Sequence, residues 1–302
     1  PQNVPFEKEG QYLKSDNRSN ISYFLEHNVL LRRFTLSVGV LANYNSALNE
    51  GIHFYPGIDA SFRIGDNVRL YGSWNRALRM PTFTDLYYEG KTNKGNPDLK
   101  PEESEAFEVG LKYNTYFLRA HIAGFYRKGK NMIDWVKEKP EDIWESQNLT
   151  KVDNLGFETN LSLLPRELGN ERFFIRKIEL GYAFIHQDKD SEGYISNYAL
   201  DYLKHKFTAQ LSHSIWKGFS ATWYVRWQDR AGSYTKYENL KPAYEEPYAP
   251  YCLVDMKVNW EYQRLNLYAE LNNLLNSTYY DLGNIPQPGI WFKAGFRYSF
   301  KY

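Results

Sequence analysis

The side chains in this 302-residue chain best suited to chemistry are aromatic, and that chemistry is recognition rather than bond making. Tyr87, Tyr88, Trp144, Tyr234, Tyr237, Tyr244, Tyr248, Tyr251, Tyr279 and Tyr280 fall in or beside stretches that read as loops. Rigid rings with one polar edge offer large contact areas, so part of this set suits a bulky ligand or partner. The rest suit a membrane–water boundary. Groups for covalent work do not come together. The six histidines (His27, His53, His121, His186, His205 and His213) show no short ligand spacing. No serine–histidine–acid grouping and no glycine-rich phosphate loop is visible. The reading is a protein that is not an enzyme, with no metal site and no cofactor. A single cysteine, Cys252, excludes an intrachain disulfide framework.

The elements that must position these loops are strands. From Phe292 every second residue is apolar or aromatic: Phe292, Ala294, Phe296, Tyr298, Phe300, Tyr302. Between them stand Lys293, Gly295, Arg297, Ser299 and Lys301, a two-residue period with one greasy and one wet face. The same alternation marks Phe34 to Tyr44 and Phe54 to Ile64. A soluble sheet would need a second layer to cover the greasy face, and this chain supplies only more strands of the same kind. A closed wall, apolar outside and polar inside, meets the requirement that lipid leave no backbone edge unsatisfied.

The totals fit that reading once alternation is allowed for. Net charge is +1, which gives no bulk argument for nucleic acid. Mean hydropathy is −0.64, yet 17% of residues are aromatic, with 26 Tyr and 8 Trp. Barrels hide their apolar residues by alternation and carry aromatic girdles, so a low mean hydropathy does not argue against a membrane.

Parity checks the register, because a one-residue slip puts every side chain on the wrong face. At Gly65-Asp66-Asn67 a three-residue turn is selected, which sets Phe62 against Leu70. At Trp216-Lys217-Gly218 three residues again keep Leu211 against Trp223 and Phe207 against Trp227. Two-residue turns are selected at Gln263-Arg264, pairing Trp260 with Leu267 and Lys257 with Glu270, and at Asn114-Thr115, pairing Leu111 with Leu118. Long connections alternate with these turns: Met80 to Glu102, Glu138 to Ser146, Asp188 to Leu200, Thr235 to Ala249 and Asp281 to Gly289. In outer-membrane barrels the short turns are periplasmic and the long loops extracellular, which would put the C-terminus in the periplasm. About thirteen strands are expected here. Bacterial single-chain barrels have even numbers, so the count favours part of a larger wall over a chain that opens at Pro1 without a leader.

One stretch carries a family resemblance. Arg79, Pro81, Thr82, Leu86 and Tyr87 precede Gly95, Asn96, Pro97, Leu99, Pro101 and Glu102, and then Glu108 and Gly110 on a strand. Asn154, Gly156 and Glu158 follow, and Leu271, Asn272, Asn273, Leu274 and Asn276 stand near the end. This pattern resembles the barrel of TonB-dependent outer-membrane receptors. Turn chemistry and the φ restriction at Pro97 and Pro101 account for much of the motif as scaffold rather than ligand site. The run Asp281 to Gly289 leading into Trp291 resembles the cobalamin-receptor branch of Bacteroidetes-type bacteria.

The resemblance implies an all-β, antiparallel transmembrane β-barrel in the bacterial outer membrane. Residues 1–302 would be its C-terminal portion, and the plug domain and the first strands of a ~22-stranded wall would lie outside this chain. It also implies partners: outer-membrane lipid, the plug and remaining strands, the TonB–ExbB–ExbD complex and a bulky small-molecule ligand; a barrel that docks a surface lipoprotein on its loops is a further reading compatible with these. Arg63, Glu108, Lys112, Glu158, Asp255, Lys257, Glu261, Glu270, Lys293, Arg297 and Lys301 would line the bore or face the plug. The transported nutrient is read as cobalamin. A ferric siderophore is the alternative, and a stand-alone passive channel of ~12–14 strands is a third reading.

Overall fold

Alternation along the sequence becomes a ladder of long strands. A computed structural model describes residues 11–12, 17–46, 51–139, 141–169, 172–190, 193–196, 202–238, 241–283 and 285–300. Lys301, Tyr302 and the side chain of Tyr237 lie outside the described residues. Thirteen long strands occur among the described residues. They are β1 (Asn20–Leu30), β2 (Phe34–Asn45), β3 (Ile52–Arg63), β4 (Val68–Arg79), β5 (Glu102–Asn114), β6 (Leu118–Lys137) and β7 (Trp144–Leu163). The series continues with β8 (Ile175–Asp190), β9 (Leu203–Trp216), β10 (Phe219–Arg230), β11 (Tyr251–Tyr262), β12 (Leu265–Asn272) and β13 (Trp291–Tyr298). All thirteen belong to one antiparallel sheet, in keeping with the expected count. No helix among the described residues is long and apolar enough to cross a membrane.

Packing divides the chain into two compact units. The first takes residues 1–110, 124–156 and 186–200, and the second takes 111–123, 157–185 and 201–302. In the first, β1, β2, β3 and β4 pair in sequence order. Val38, Ile58 and Trp74 stand side by side across three strands, and the next row is Ser37, Asp59 and Ser73. Gly110 is needed in the β5 portion of this unit. A Cβ there would lie 2.5 Å from the Tyr71 ring, so the aromatic side chain covers the bare backbone only because residue 110 has none.

The second unit shows the two faces most plainly. Ile178, Leu211, Trp223, Met256, Leu271 and Phe292 form one row across β8 to β13. The adjacent row is Lys177, Ser212, Thr222, Lys257, Glu270 and Lys293. Apolar side chains on the first face stay open: Phe292 is 61% exposed and Phe296 73%. Large apolar groups left uncovered in a continuous band mean that the sheet expects a partner medium.

The turns follow parity with two refinements. Phe62 faces Leu70, and Trp260 faces Leu267, as expected. Leu211 faces Trp223 and Phe207 faces Trp227, but the β9–β10 turn contains only Lys217 and Gly218. A register shift between Ser214 and Trp216 adds the missing residue as a bulge. Gly218 takes φ 85°, and a Cβ there would meet Glu261 O at 2.4 Å. The expected two-residue turn at Asn114-Thr115 is corrected. Thr115 N donates to Leu118 O at 2.7 Å, so the tip is Tyr116-Phe117. The tip moves by two residues, which parity cannot detect, and Leu111 and Ile122 both remain on the exposed apolar face.

On the polar face, Lys257 Nζ lies 2.7 Å from Glu270 Oε1 and Lys293 Nζ lies 3.0 Å from Glu270 Oε2. One carboxylate therefore bridges three adjacent strands. Glu270→Gln is expected to lower barrel stability by ~1 kcal/mol, at the upper end for partly exposed pairs. Lys257→Glu costs more, and Lys257→Glu with Glu270→Lys recovers only part of the loss, because the new lysine would face Lys293. Heat-dependent gel migration of the folded barrel reads all three.

Candidate functional site

The expected ligand-facing aromatics sit at the ends of the strands served by long connections. In the first unit the stretch from Arg79 to Glu102 is built as scaffold. Glu102 is 6% exposed and receives Arg79 Nε at 2.6 Å, a second bond from Arg79 Nη2, and Ile133 N at 2.8 Å. Thr82 caps a short helix, α1 (Phe83–Tyr87), with Asp85 returning the bond as a capping box. Asp85 O then accepts Asn96 N at 2.8 Å. A Cβ at residue 95 would lie 2.8–2.9 Å from the α1 backbone, so Gly95 permits that approach. Asn148 ties the far end, donating to Lys100 O and Asn131 O and accepting from Lys100 N.

This scaffold fixes three of the expected residues. Tyr87 stacks on Phe83 with centroids 6.2 Å apart, Tyr88 meets Trp135 edge-on at 6.4 Å, and Trp144 lies under Lys137 Nζ at 4.5 Å. Short ladders bind the loops to the strand tips: Asn93–Lys94 runs parallel to Trp144–Glu145, and Ile195–Ser196 pairs with Lys137 and Val136. Asp134, 2% exposed, accepts from Ser196 Oγ and from Trp135 N.

Lys189 stands next to the end of β8, a 16-residue strand longer than the ~9–11 residues needed to cross a bilayer. Burial pushes its ammonium down from 10.5 to about 8, and Asp134 opposes the shift. Because the folded value is lowered, the charge on Lys189 opposes folding below about pH 8. Its contribution to stability rises as the pH climbs from about 8 toward 10.5, where only the unfolded chain keeps the proton. Amine-selective acylation at pH 8, read by mass spectrometry, should modify Lys189 ahead of lysines of ordinary basicity. Finding Lys189 among the last to react would contradict this.

In the second unit the long connection after β10 carries a hairpin, Ser233–Glu238 paired with Lys241–Pro247, where a plain loop was expected. Tyr234 contacts Tyr248 at 5.1 Å and stacks on Tyr280 at 5.2 Å, while Tyr251 contacts Tyr279 at 4.6 Å. Tyr251 OH lies between Gln228 and Asp281, and Gly283 N donates to Tyr248 OH at 3.0 Å. Tyr234 and Tyr248 are 7% and 8% exposed, so these rings pack on each other. Tyr244, 50% exposed beneath Lys236 Nζ, presents its face outward. Arg230 lies over the Tyr248 ring at 5.5 Å.

The expected wall residues lie on the polar face. Glu158 approaches His121 Nδ1 at 3.8 Å, and Lys112 with His121 borders a concavity of about 620 Å³. Lys257, Glu270 and Arg297 border another of about 790 Å³. Glu108 is exposed on β5. Among the described residues no group of three His, Cys, Asp or Glu is placed to hold a metal. Sequence reading missed Asn148, Asp134 and Gln228, and it took Asp281 only as part of the run to Gly289, not as the partner of Tyr251. Only the Thr82–Asp85 spacing carried a local signal, that of a capping box.

Comparison with known proteins adds the lineage. Residues 2–274 match the family described as TonB dependent receptor-like, beta-barrel. The vitamin B12 transporter BtuB of Vibrio vulnificus is 25% identical over 191 residues, covering 58% of this chain and 30% of the relative. An iron-regulated outer membrane virulence protein of Vibrio cholerae is 26% identical over 226 residues, covering 66% and 33%. The ferric enterobactin receptor PfeA of Pseudomonas aeruginosa, solved with enterobactin, superposes with a TM-score of 0.73 at 19% identity, covering 94% of this chain and 46% of that one. The chain thus spans about a third of these curated relatives and under half of the solved neighbour. These relatives are transporters and receptors rather than enzymes.

Proposed function

Since this chain belongs to the TonB-dependent receptor β-barrel family, we propose that it is the C-terminal part of the wall of an outer-membrane receptor that binds a bulky, scarce nutrient and imports it with TonB-coupled energy. The observation that carries this is the pair of adjacent rows across β8 to β13, one wholly apolar with Leu211 and Phe292 exposed and none of its members buried, the other polar and charged. In that arrangement the apolar row meets lipid and the polar row lines a bore. The short turns and the C-terminus face the periplasm, and the long connections face outward. A plug and the remaining strands complete the receptor, and the TonB–ExbB–ExbD complex acts through them. A surface lipoprotein over the loops is compatible with the exposed Tyr244 face.

Cobalamin is the proposed cargo. It is supported by the likeness to a vitamin B12 transporter and by the resemblance of Asp281 to Gly289 to the Bacteroidetes-type cobalamin branch. Within the aromatic loops, Tyr87, Tyr88, Trp144, Tyr237, Tyr244, Tyr279 and Tyr280 are the proposed contacts, with the mutually packed Tyr234 and Tyr248 as the platform behind Tyr280. A ferric siderophore is the second reading, favoured by the Vibrio cholerae and Pseudomonas aeruginosa relatives and by cations over rings at Trp144, Tyr244 and Tyr248. Binding of cyanocobalamin and of ferric enterobactin to the full-length receptor, read by quenching of tryptophan fluorescence, separates them. Submicromolar binding of cyanocobalamin alone supports the first reading, and of ferric enterobactin alone the second. No binding of either overturns both.

A further inference from the structure

On the face of the first unit that carries exposed apolar side chains, the greasy pattern stops at one level on three neighbouring strands. Glu103 and Glu105 share a face of β5 with Phe107 and Val109, both exposed. Arg76 Nε lies 3.2 Å from Glu105 Oε1 and Arg76 Nη2 lies 3.7 Å from Glu103 Oε2, which brings the end of β4 to the same face. Lys128 and Lys130 of β6 border one small recess with these three side chains. Counted from the short-turn ends at Val68, Asn114 and Leu118, Arg76 is the ninth residue of β4, Glu105 the tenth of β5 and Lys128 the eleventh of β6. A strand crosses hydrocarbon in about 9–11 residues, so all three reach charge where a bilayer core would end. Tyr126, two residues short of Lys128, is 37% exposed and donates from its OH to Asp153 Oδ2 at 2.8 Å. A ring with one polar end suits that boundary.

Charge within the recess is unevenly satisfied. Arg76 holds both carboxylates, whereas no carboxylate pairs with Lys128 or Lys130 among the described residues. Both lysines are exposed. A lysine stem lies along apolar surface while its ammonium reaches the headgroup level, where it meets a phosphate as a point charge. With Glu103 and Glu105 offset by Arg76, their repulsion of an incoming anion is weakened. A phosphate monoester carries a charge of about −1.5 to −2 near pH 7 and so gains most from two unpaired cations. A zwitterionic headgroup brings its own cation beside the phosphate and gains less.

We propose that Lys128 and Lys130, backed by the Arg76–Glu103–Glu105 cluster, seat a phosphate of a phosphorylated glycolipid in the outward leaflet of the membrane. The proposal rests on the reading that this face meets lipid and that the long connections point outward. The occupant follows from charge complementarity and from depth. Two unpaired cations stand at headgroup level on the long-connection side, with Phe107 and Val109 on the same face toward the bilayer core for acyl chains. A glycolipid bound there steadies the ends of β4 and β5, the strands that carry the Arg79–Glu102 bonds.

The test uses the full-length receptor, purified in detergent from outer membranes and delipidated, with bisphosphorylated lipid A as the probe and bound lipid counted by native mass spectrometry. Each basic group near an anionic lipid surface contributes about fivefold to binding. Lys128→Gln with Lys130→Gln should therefore lower affinity about thirtyfold, and each single change about fivefold. Lys128→Arg with Lys130→Arg should keep it, as should Lys217→Gln at a short turn. Phosphate-free lipid A should bind the unaltered receptor as weakly as the phosphorylated form binds the double Gln variant. Equal binding of the two forms, equal competition by phosphatidylglycerol, or an affinity unchanged by the Lys→Gln changes overturns the proposal. If the double variant does not assemble, the single variants decide. Fractionation tells the failures apart. Receptor that is absent from the outer membrane and binds neither lipid A nor phosphatidylglycerol refutes the barrel reading, whereas receptor that stays there without a phosphate-dependent preference refutes the docking alone.

Discussion

Leu211→Arg is expected to prevent or severely weaken assembly of the barrel, while Gln210→Arg, one residue away, leaves it nearly unchanged. Leu211, itself exposed, sits in β9 between Ile178 and Trp223 in the apolar row. If that row meets hydrocarbon, a guanidinium near the midplane costs ~2–4 kcal/mol. Gln210 lies in the next row between Glu179 and Tyr224, so an arginine there finds water and a carboxylate. The comparison holds strand, position and introduced residue constant and changes only the face. Heat-modifiable migration and recovery in the outer-membrane fraction check it. Equal tolerance at the two positions would mean that neither face meets lipid.

Glu102→Ala should loosen the whole connection from Met80 to Pro101 without dismantling the sheet. Its carboxylate side chain is 8% exposed and holds Arg79 by two bonds and Ile133 N by a third. Breaking a fully buried pair costs ~3–5 kcal/mol. Arg79 is half exposed, at 51% of its side chain, so solvent recovers part of that, and about 2 kcal/mol is expected. Expressed as local opening, this is roughly a thirtyfold rise in cleavage within residues 80–101 under limited proteolysis. Glu102→Gln keeps the shape and loses the charge, so it should fall between the two. Unchanged cleavage would show that the capping box at Thr82 and the Asn148 ties hold the connection by themselves.

The sheet was legible because its two faces meet different media. Where Phe296 must face one way and Arg297 the other, a two-residue period leaves little choice of face, and Lys257 duly meets Glu270. What parity cannot distinguish is any change by an even number of residues. The β5–β6 tip therefore lies two residues beyond its expected place, and the bulge near Ile215 let a two-residue turn pass for three. The loops were less legible. Composition marks Tyr234, Tyr248 and Tyr279 as contact residues, but whether a ring faces a ligand or another ring depends on long-range pairing. The hairpin from Ser233 to Pro247 folds two of them inward through contacts that no local pattern encodes. Asn148 gave no sign at all, since an isolated asparagine in a strand looks the same whether or not it ties a distant loop.

Everything proposed for this chain depends on which face of the strands meets lipid. Spin labels placed singly along β13, from Trp291 to Tyr298, in a Cys252→Ser background within outer-membrane vesicles, report this directly. Labels at Phe292, Ala294, Phe296 and Tyr298 should relax faster with oxygen, and those at Lys293, Gly295 and Arg297 faster with a water-soluble nickel chelate, alternating at every residue. Uniform accessibility along the strand, or the inverse alternation, would contradict the account.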